Sequence, residues 1–196
     1  MTDWLRLLND PNLAHVIERE RKYRVPEAQV SLLRERLERD GRWVRAGAEG
    51  DVFFDHPALH LQQDDRRLRL RFRDEGGVQE LTYKSTREIR GVDKVRREIT
   101  AVLVSGPIEE LIGELGFKRI RKLVKLREVY VVNTFEVALD QLDGAGWFCE
   151  IEALTADADI DAMAFELGLG PRQLEPRTNS EIVDEMAAAG EPAPVA

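Results

Sequence analysis

The chain has 196 residues, 43% of them hydrophobic, enough for one fair-sized core. Its 29 Lys and Arg face 37 Asp and Glu, a net charge of -8, which argues against nonspecific binding to nucleic acid or an anionic membrane. The single cysteine, Cys149, excludes an intrachain disulfide and a cysteine-built zinc site.

Residues 1–15 read as an amphipathic helix or arm with Trp4, Leu7 and Leu8 as anchors. They hold no apolar stretch of secretory length, and no run in the chain approaches a membrane span, so a soluble, cytoplasmic protein is expected. The segment HVIERERKYRV, from His15 to Val25, alternates as a strand would. After Pro26, PEAQVSLLRERLERDG reads as a helix with Val30, Leu33 and Leu37 on one face and Gly41 as its stop. RWVRAGAEGDVFFDHP reads as one or two strands with a Gly-rich break. DRRLRLRFRDEGGVQELTYKST is the clearest hairpin, turning at Asp74 to Gly77. DKVRREITAVL is a further strand, and GPIEELIGELGF a helix with Pro107 in its first turn. Three more strands run from Phe117 to Leu154, the last two joined around Asp143 to Gly146. DADIDAMAFELGL and SEIVDEMAAAG close the chain as helices, the second with Ser180 as N-cap, before a frayed EPAPVA tail. About eight strands in adjacent hairpins with inserted helices predict an antiparallel α+β domain. The expected division is an arm over 1–15, a barrel domain over 16–170 and a helical appendix with tail over 171–196.

Side chains alternate across a strand with period two. Glu18, Glu20 and Lys22 therefore share a face, as do Arg67, Arg69, Arg71 and Arg73. Thr82 pairs with Lys84, Arg96 with Glu98, Lys125 with Arg127, and Ala138 with Asp140. Phe148, Glu150 and Glu152 share a face opposite Trp147, Cys149 and Ile151. Strand by strand, a dry face and a wet face explain this. Together, files of arginine and paired carboxylates are too like-charged for a simple wet face, because like charges on one face repel. A polyanion with a divalent metal would compensate them. The two Glu-x-Glu pairs offer hard oxygen ligands for Mg²⁺ or Mn²⁺, and the cations offer phosphate contacts. If the sheet closes, these faces line its lumen. His15, His56 and His60 share no ligand spacing and read as surface residues. Gly144-Ala145-Gly146 joins two strands and opens no helix, so it reads as a turn rather than a dinucleotide loop.

Glu18-x-Glu20-x-Lys22 resembles the E-x-E-x-K signature of the CYTH superfamily, and the likeness continues in order through Asp55, Arg69 and Arg71, Lys84, Arg96 and Glu98, Lys125 and Arg127 with Tyr130, Asp140, and Glu150 with Glu152. The resemblance implies an eight-stranded antiparallel triphosphate-tunnel barrel with helices packed outside. It implies divalent-metal ligands at Glu18, Glu20, Asp140, Glu150 and Glu152, and triphosphate ligands at Lys22, Arg69, Arg71, Lys84, Arg96, Lys125 and Arg127. Lys22, Glu98 and Tyr130 are implied for charge balance or positioning of the nucleophile. The segments LDQLDGAGWF and LREVY look closest to the class IV adenylyl cyclase branch, which converts ATP to cyclic AMP and pyrophosphate. The alternative is hydrolysis of inorganic triphosphate or of an organic triphosphate such as thiamine triphosphate. Ala138 stands where thiamine triphosphatases tend to carry a second acid. Ser85-Thr86 and His56 also depart from the cyclase-like Gly-Pro and Thr. The expected partner is a nucleoside or inorganic triphosphate, with no nucleic acid and no membrane. A homodimer fits an open-ended barrel, although no sequence feature requires one. A noncatalytic phosphate-binding module would need the carboxylates to be missing, and all are present.

Overall fold

The computed structural model describes residues 16–73, 79–103 and 106–189. The N-terminal arm, the turn at Asp74 to Gly77 and the C-terminal tail fall outside them. The chain order is β1 (Val16–Val25), α1 (Glu27–Asp40), β2 (Arg42–Asp55), β3 (Arg67–Arg73), β4 (Gln79–Lys84), β5 (Glu88–Arg90), β6 (Asp93–Leu103), α2 (Ile108–Glu114), β7 (Lys118–Val132), β8 (Phe135–Leu142), β9 (Gly146–Ala153), α3 (Ile160–Glu166) and α4 (Asn179–Ala188). A single 3₁₀ turn, Pro171–Gln173, precedes α4.

Around the sheet the strands follow the order β1-β9-β8-β7-β2-β3-β4-β6, and β6 pairs back onto β1. Eight antiparallel strands thus close into a barrel, which leaves no long open edge. The three-residue β5 adds to β6 beside this ring and was not foreseen from the sequence. Where a Gly-rich break was expected, β2 continues as one strand along β7, with bulges at Trp43/Arg45 and Phe53/Phe54. Gly47 and Gly50 sit within it without crowding, so they dilute the strand signal without ending the strand.

The main core lies outside the barrel. Val30, Leu33 and Leu37 of α1 pack against Tyr23, Tyr130, Val137, Leu139, Cys149 and Ile151 on the outer strand faces, joined by Ile160 and Met163 of α3. Gly41 stops α1 as expected, but by close approach: a Cβ there would lie 2.8 Å from the Leu37 carbonyl and 2.9 Å from Val132 Cγ2. On the far side, Ile112 of α2 packs on Val52, Phe54 and Leu70.

The C-terminal segment is built into the barrel. The Glu175 N–H donates to the Lys22 carbonyl at 2.9 Å, and Leu174 bridges to Tyr23. Ile182, Val183 and Met186 of α4 then pack on Leu123, Leu142 and Phe148, which share the lumen-facing parity of their strands, so α4 covers that end. Its N-cap is Thr178 rather than Ser180. Thr178 and Glu181 form a reciprocal capping box, which satisfies two otherwise orphaned backbone donors.

On the outward face of β1, Arg19 and Arg21 both have partners. Arg21 is buried; its Nε donates to Asp93 at 2.7 Å, and its guanidinium also reaches Asp161 and the Tyr23 hydroxyl. Arg19 donates to the Ala158 carbonyl at 2.5 Å and to Asp93. Both side chains fasten β1 to β6 and to the start of α3.

Candidate active site

The lumen encloses a cavity of about 450 Å³. β1 contributes Glu18, Glu20 and Lys22; β3 contributes Arg67, Arg69, Arg71 and Arg73; Lys84 comes from β4, Arg96 and Glu98 from β6. β7 adds Lys125 and Arg127, and β9 adds Glu150 and Glu152. Period-two parity, read from these short charged runs, thus brings together side chains up to 134 positions apart (Glu18 to Glu152).

Two predicted residues lie elsewhere. Tyr130 has the opposite parity to Lys125 and Arg127, is buried in the outer core, and its hydroxyl donates to Glu128. It does not reach the cavity. Asp140 has lumen parity but is fully buried behind the cavity lining. It accepts from Lys125 Nζ at 2.9 Å and from Arg127 Nε and Nη2 at 2.6 Å each. Its oxygens serve cations already, and it is absent from the cavity lining where the other acids expected to hold metal stand. Asp55 is a loop organiser, accepting from the backbone N–H groups of His56, Leu61 and Gln62.

The sheet register explains the acidic side. Lys22 lies opposite Glu150, Glu20 opposite Glu152, and Glu152 is in turn opposite Glu136 of β8. Glu136 lines the cavity and was overlooked, although it shares the Ala138/Asp140 parity. Burial opposes ionisation of Glu18, but Lys84 at 2.7 Å and Arg96 at 2.8 Å hold it well below the usual carboxylate range. Desolvation opposes ionisation of the half-buried Glu150 too, but Arg127 and Lys22 hold it low. Glu20 and Glu152 behave oppositely. Burial, then Glu18 and Glu150, push Glu20 up, and its nearest cation, Lys94 Nζ, is 3.8 Å away. Burial, then Glu18, Glu136 and Glu20, push Glu152 up to about 8. Among the described residues neither Glu136 nor Glu152 has a cationic partner.

These carboxylates fit a divalent cation. Among the described residues no three acids are already drawn together as a metal cage. Mg²⁺ does not require one, since it keeps several waters and takes one or two carboxylates plus substrate phosphates. The donors are hard oxygens, and a cation would relieve the like-charge repulsion at Glu20, Glu136 and Glu152.

The cationic side divides unevenly. Arg71 donates Nε and Nη2 to Asp51 of β2 at 2.7 and 2.8 Å, and its Nη1 is 3.0 Å from Glu49. Arg127 is held by Asp140 and Glu150. Lys125 is fully buried; burial, then Arg127, push its ammonium down to about 8 despite Asp140. Arg69 is underpartnered: Nη2 reaches Thr82 at 3.4 Å, Asp51 is 3.7 Å away, and the buried Nε has no hydrogen-bond partner. Arg96 Nη1 is similarly orphaned. Buried donors without acceptors are costly, and an anion within reach would satisfy them. At the covered end, Thr178, Asn179 and Ser180 line the cavity, and Asn179 accepts from Lys22.

The CYTH domain matches residues 16–178. The chain belongs to the CYTH family. The CYTH protein is 28% identical over 117 residues to MJ0240 of Methanocaldococcus jannaschii, a match covering 59% of this chain and 65% of that relative. It is 26% identical over 145 residues to adenylate cyclase CyaB of Aeromonas hydrophila, covering 70% of this chain and 73% of the relative. Among solved structures, the PH1819 protein of Pyrococcus horikoshii superposes with a TM-score of 0.72 at 29% identity, over 86% of this chain and 98% of that one. No helix among the described residues is long and apolar enough to cross a membrane.

Proposed function

We propose that this CYTH protein is a divalent-metal-dependent phosphoryl- or nucleotidyl-transfer enzyme acting on a triphosphate held in the barrel lumen. One observation carries the reading. Weakly compensated carboxylates at Glu20, Glu136 and Glu152 share a cavity with orphaned guanidinium donors on Arg69 and Arg96. Bound Mg²⁺ or Mn²⁺, held by Glu20, Glu136 and Glu152 with Glu18 and Glu150 nearby, would neutralise phosphate charge and lower the pKa of a nucleophile. Arg69, Arg96 and Lys84 hold the phosphate chain and stabilise charge developing on the leaving group. Arg71, Lys125 and Arg127 are fixed by protein carboxylates, and their role is to shape the field around the chain. Lys22, set between Glu150 and Asn179, keeps Glu150 ionised and the end of α4 in place. Glu98 pairs with Lys84 and accepts from Thr100, which orients the Lys84 ammonium.

Cyclisation of ATP is the leading reaction, supported by the likeness to CyaB. There the ribose 3′-hydroxyl attacks the α-phosphorus and pyrophosphate leaves. Hydrolysis of a triphosphate is the second reading. It is favoured by the lining, in which Phe53 is the single aromatic face available to a base among the described residues. The test is incubation with Mg²⁺ or Mn²⁺ and either ATP or tripolyphosphate. Cyclic AMP with pyrophosphate supports cyclisation, and orthophosphate supports hydrolysis. Neither product from either substrate would reduce the protein to a binding module and overturn the enzymatic reading.

A further inference from the structure

The half of the cation file away from α4 is already neutralised by the protein itself. Glu49 is 1% exposed and lies 2.6 Å from Arg45 Nη1, 3.0 Å from Arg71 Nη1 and 3.3 Å from Arg73 Nε. Asp51 takes two hydrogen bonds from Arg71. Glu80 closes on Arg73 at 2.7 Å. Three guanidinium groups there meet three carboxylates. The neighbouring Arg69, one rung closer to α4, has no comparable partner. Burial raises both carboxylates in principle, but the cations win: Arg127, Lys125 and Arg71 bring Glu49 down to about 2, and Arg69 and Arg71 hold Asp51 lower still. Both are therefore anions at neutral pH.

A phosphate chain entering this lumen has one direction in which to grow. α4 covers one end, so each additional phosphoryl group must extend toward Arg73 and Arg45. There the guanidinium N–H groups are engaged, and the resident carboxylates repel further negative charge.

We propose that Glu49 and Asp51, with Glu80 at the rim, are resident counter-anions that set the length of polyanion the tunnel accepts. They are specificity-determining positioning residues, acting through Arg71, Arg73 and Arg45 rather than on the reacting atoms. The inference rests on the triphosphate reading above.

Titration calorimetry of the full chain with linear tripolyphosphate and tetrapolyphosphate, in EDTA so that no metal bridges the ligand, tests it. The native chain is expected to bind tetrapolyphosphate no more tightly than tripolyphosphate. Asp51→Asn frees the Arg71 fork and shifts the tetra-to-tri preference by about tenfold toward the longer chain, the scale of one added charge-assisted hydrogen bond. Glu80→Gln, whose one ion-pair partner among the described residues is Arg73, gives a smaller shift in the same direction and serves if Asp51→Asn fails to fold. A purely structural role would weaken both ligands alike and leave the ratio unchanged. An unchanged ratio in folded variants overturns the inference while leaving the triphosphate reading intact, and so does a native chain that already prefers tetrapolyphosphate tenfold. No binding of either polyanion by the native chain or any variant, in EDTA or with Mg²⁺ in place of it, removes the reading and the inference together.

Discussion

Two sets of carboxylates share one lumen and behave in opposite ways. Glu49, Asp51 and Asp140 sit on β2 and β8, each gripped by two or more cations. Glu20, Glu136 and Glu152 sit on β1, β8 and β9 as cross-strand neighbours, and among the described residues the one cation within ion-pair reach of them is Lys94, 3.8 Å from Glu20. Both sets are acidic, and both have lumen parity. The difference is compensation. Where the fold supplies the counter-charge, a carboxylate is architecture; where it withholds it, the carboxylate is left for something that arrives from outside.

That contrast can be broken experimentally. The largest effect expected is on stability, at Asp140. Asp140→Ala leaves Lys125 and Arg127 buried without their main partner and should cost about 3–5 kcal/mol in denaturant unfolding, the usual scale for breaking a buried ion pair. A loss below about 1 kcal/mol would show that the gripped set is not structural. Glu152→Gln should do the reverse. Activity on the productive triphosphate falls at least ~100-fold, about 2.7 kcal/mol of transition-state stabilisation. The melting temperature without metal stays level or rises, because a carboxyl that its surroundings keep from ionising has been replaced by a neutral amide. Full activity in that variant would sink the metal assignment.

The pH response of the metal-free chain sharpens the point. The Glu152 carboxyl is raised from 4.5 to about 8 in the folded protein, so the folded state holds its proton more tightly than the unfolded state. Its contribution to stability is complete below pH 4.5 and is lost as pH climbs toward 8. Unfolding midpoints should therefore fall across that window. The fall should be shallower in Glu152→Gln, and added Mg²⁺ should restore stability at the alkaline end. The smallest effects belong to the outer face of β1. Arg21→Ala should cost about 1–3 kcal/mol through the buried Asp93 left behind, and the more exposed Arg19→Ala under about 1 kcal/mol. Equal losses would mean that the two arginines fasten α3 equally.

Legibility in the sequence followed the same division. The lumen faces of β1, β3, β7 and β9 were readable because charge recurs at every second residue, a pattern that only a strand produces. Glu136 is hard to read because β8 looks apolar, FEVALDQL, and Asp140, four positions later, is the more conspicuous charge. Glu49 and Asp51 escaped because Gly47 and Gly50 interrupt the alternation, so no face was assigned to β2. Tyr130 was placed in the site by resemblance, against its own parity. The contribution of Thr178 to Ser180 had no local signal at all. It depends on the chain turning back through Leu174 and Glu175 onto β1, a long-range packing event that periodicity does not encode.

The position of β1 in the ring has a consequence for how the protein is made. The strand synthesised first of the eight is clasped between β6 and β9, and the acidic cluster draws on both β1 and β9. On the ribosome, a chain extended only as far as β8 holds Glu18, Glu20 and Glu136 but lacks Glu150, Glu152 and one of the two strands that seat β1. Such contacts between distant parts of the chain form late, after long loops have closed. The chemistry of the lumen is therefore completed in one of the last steps of maturation, and a truncated product carries most of the charges in a ring that has not closed.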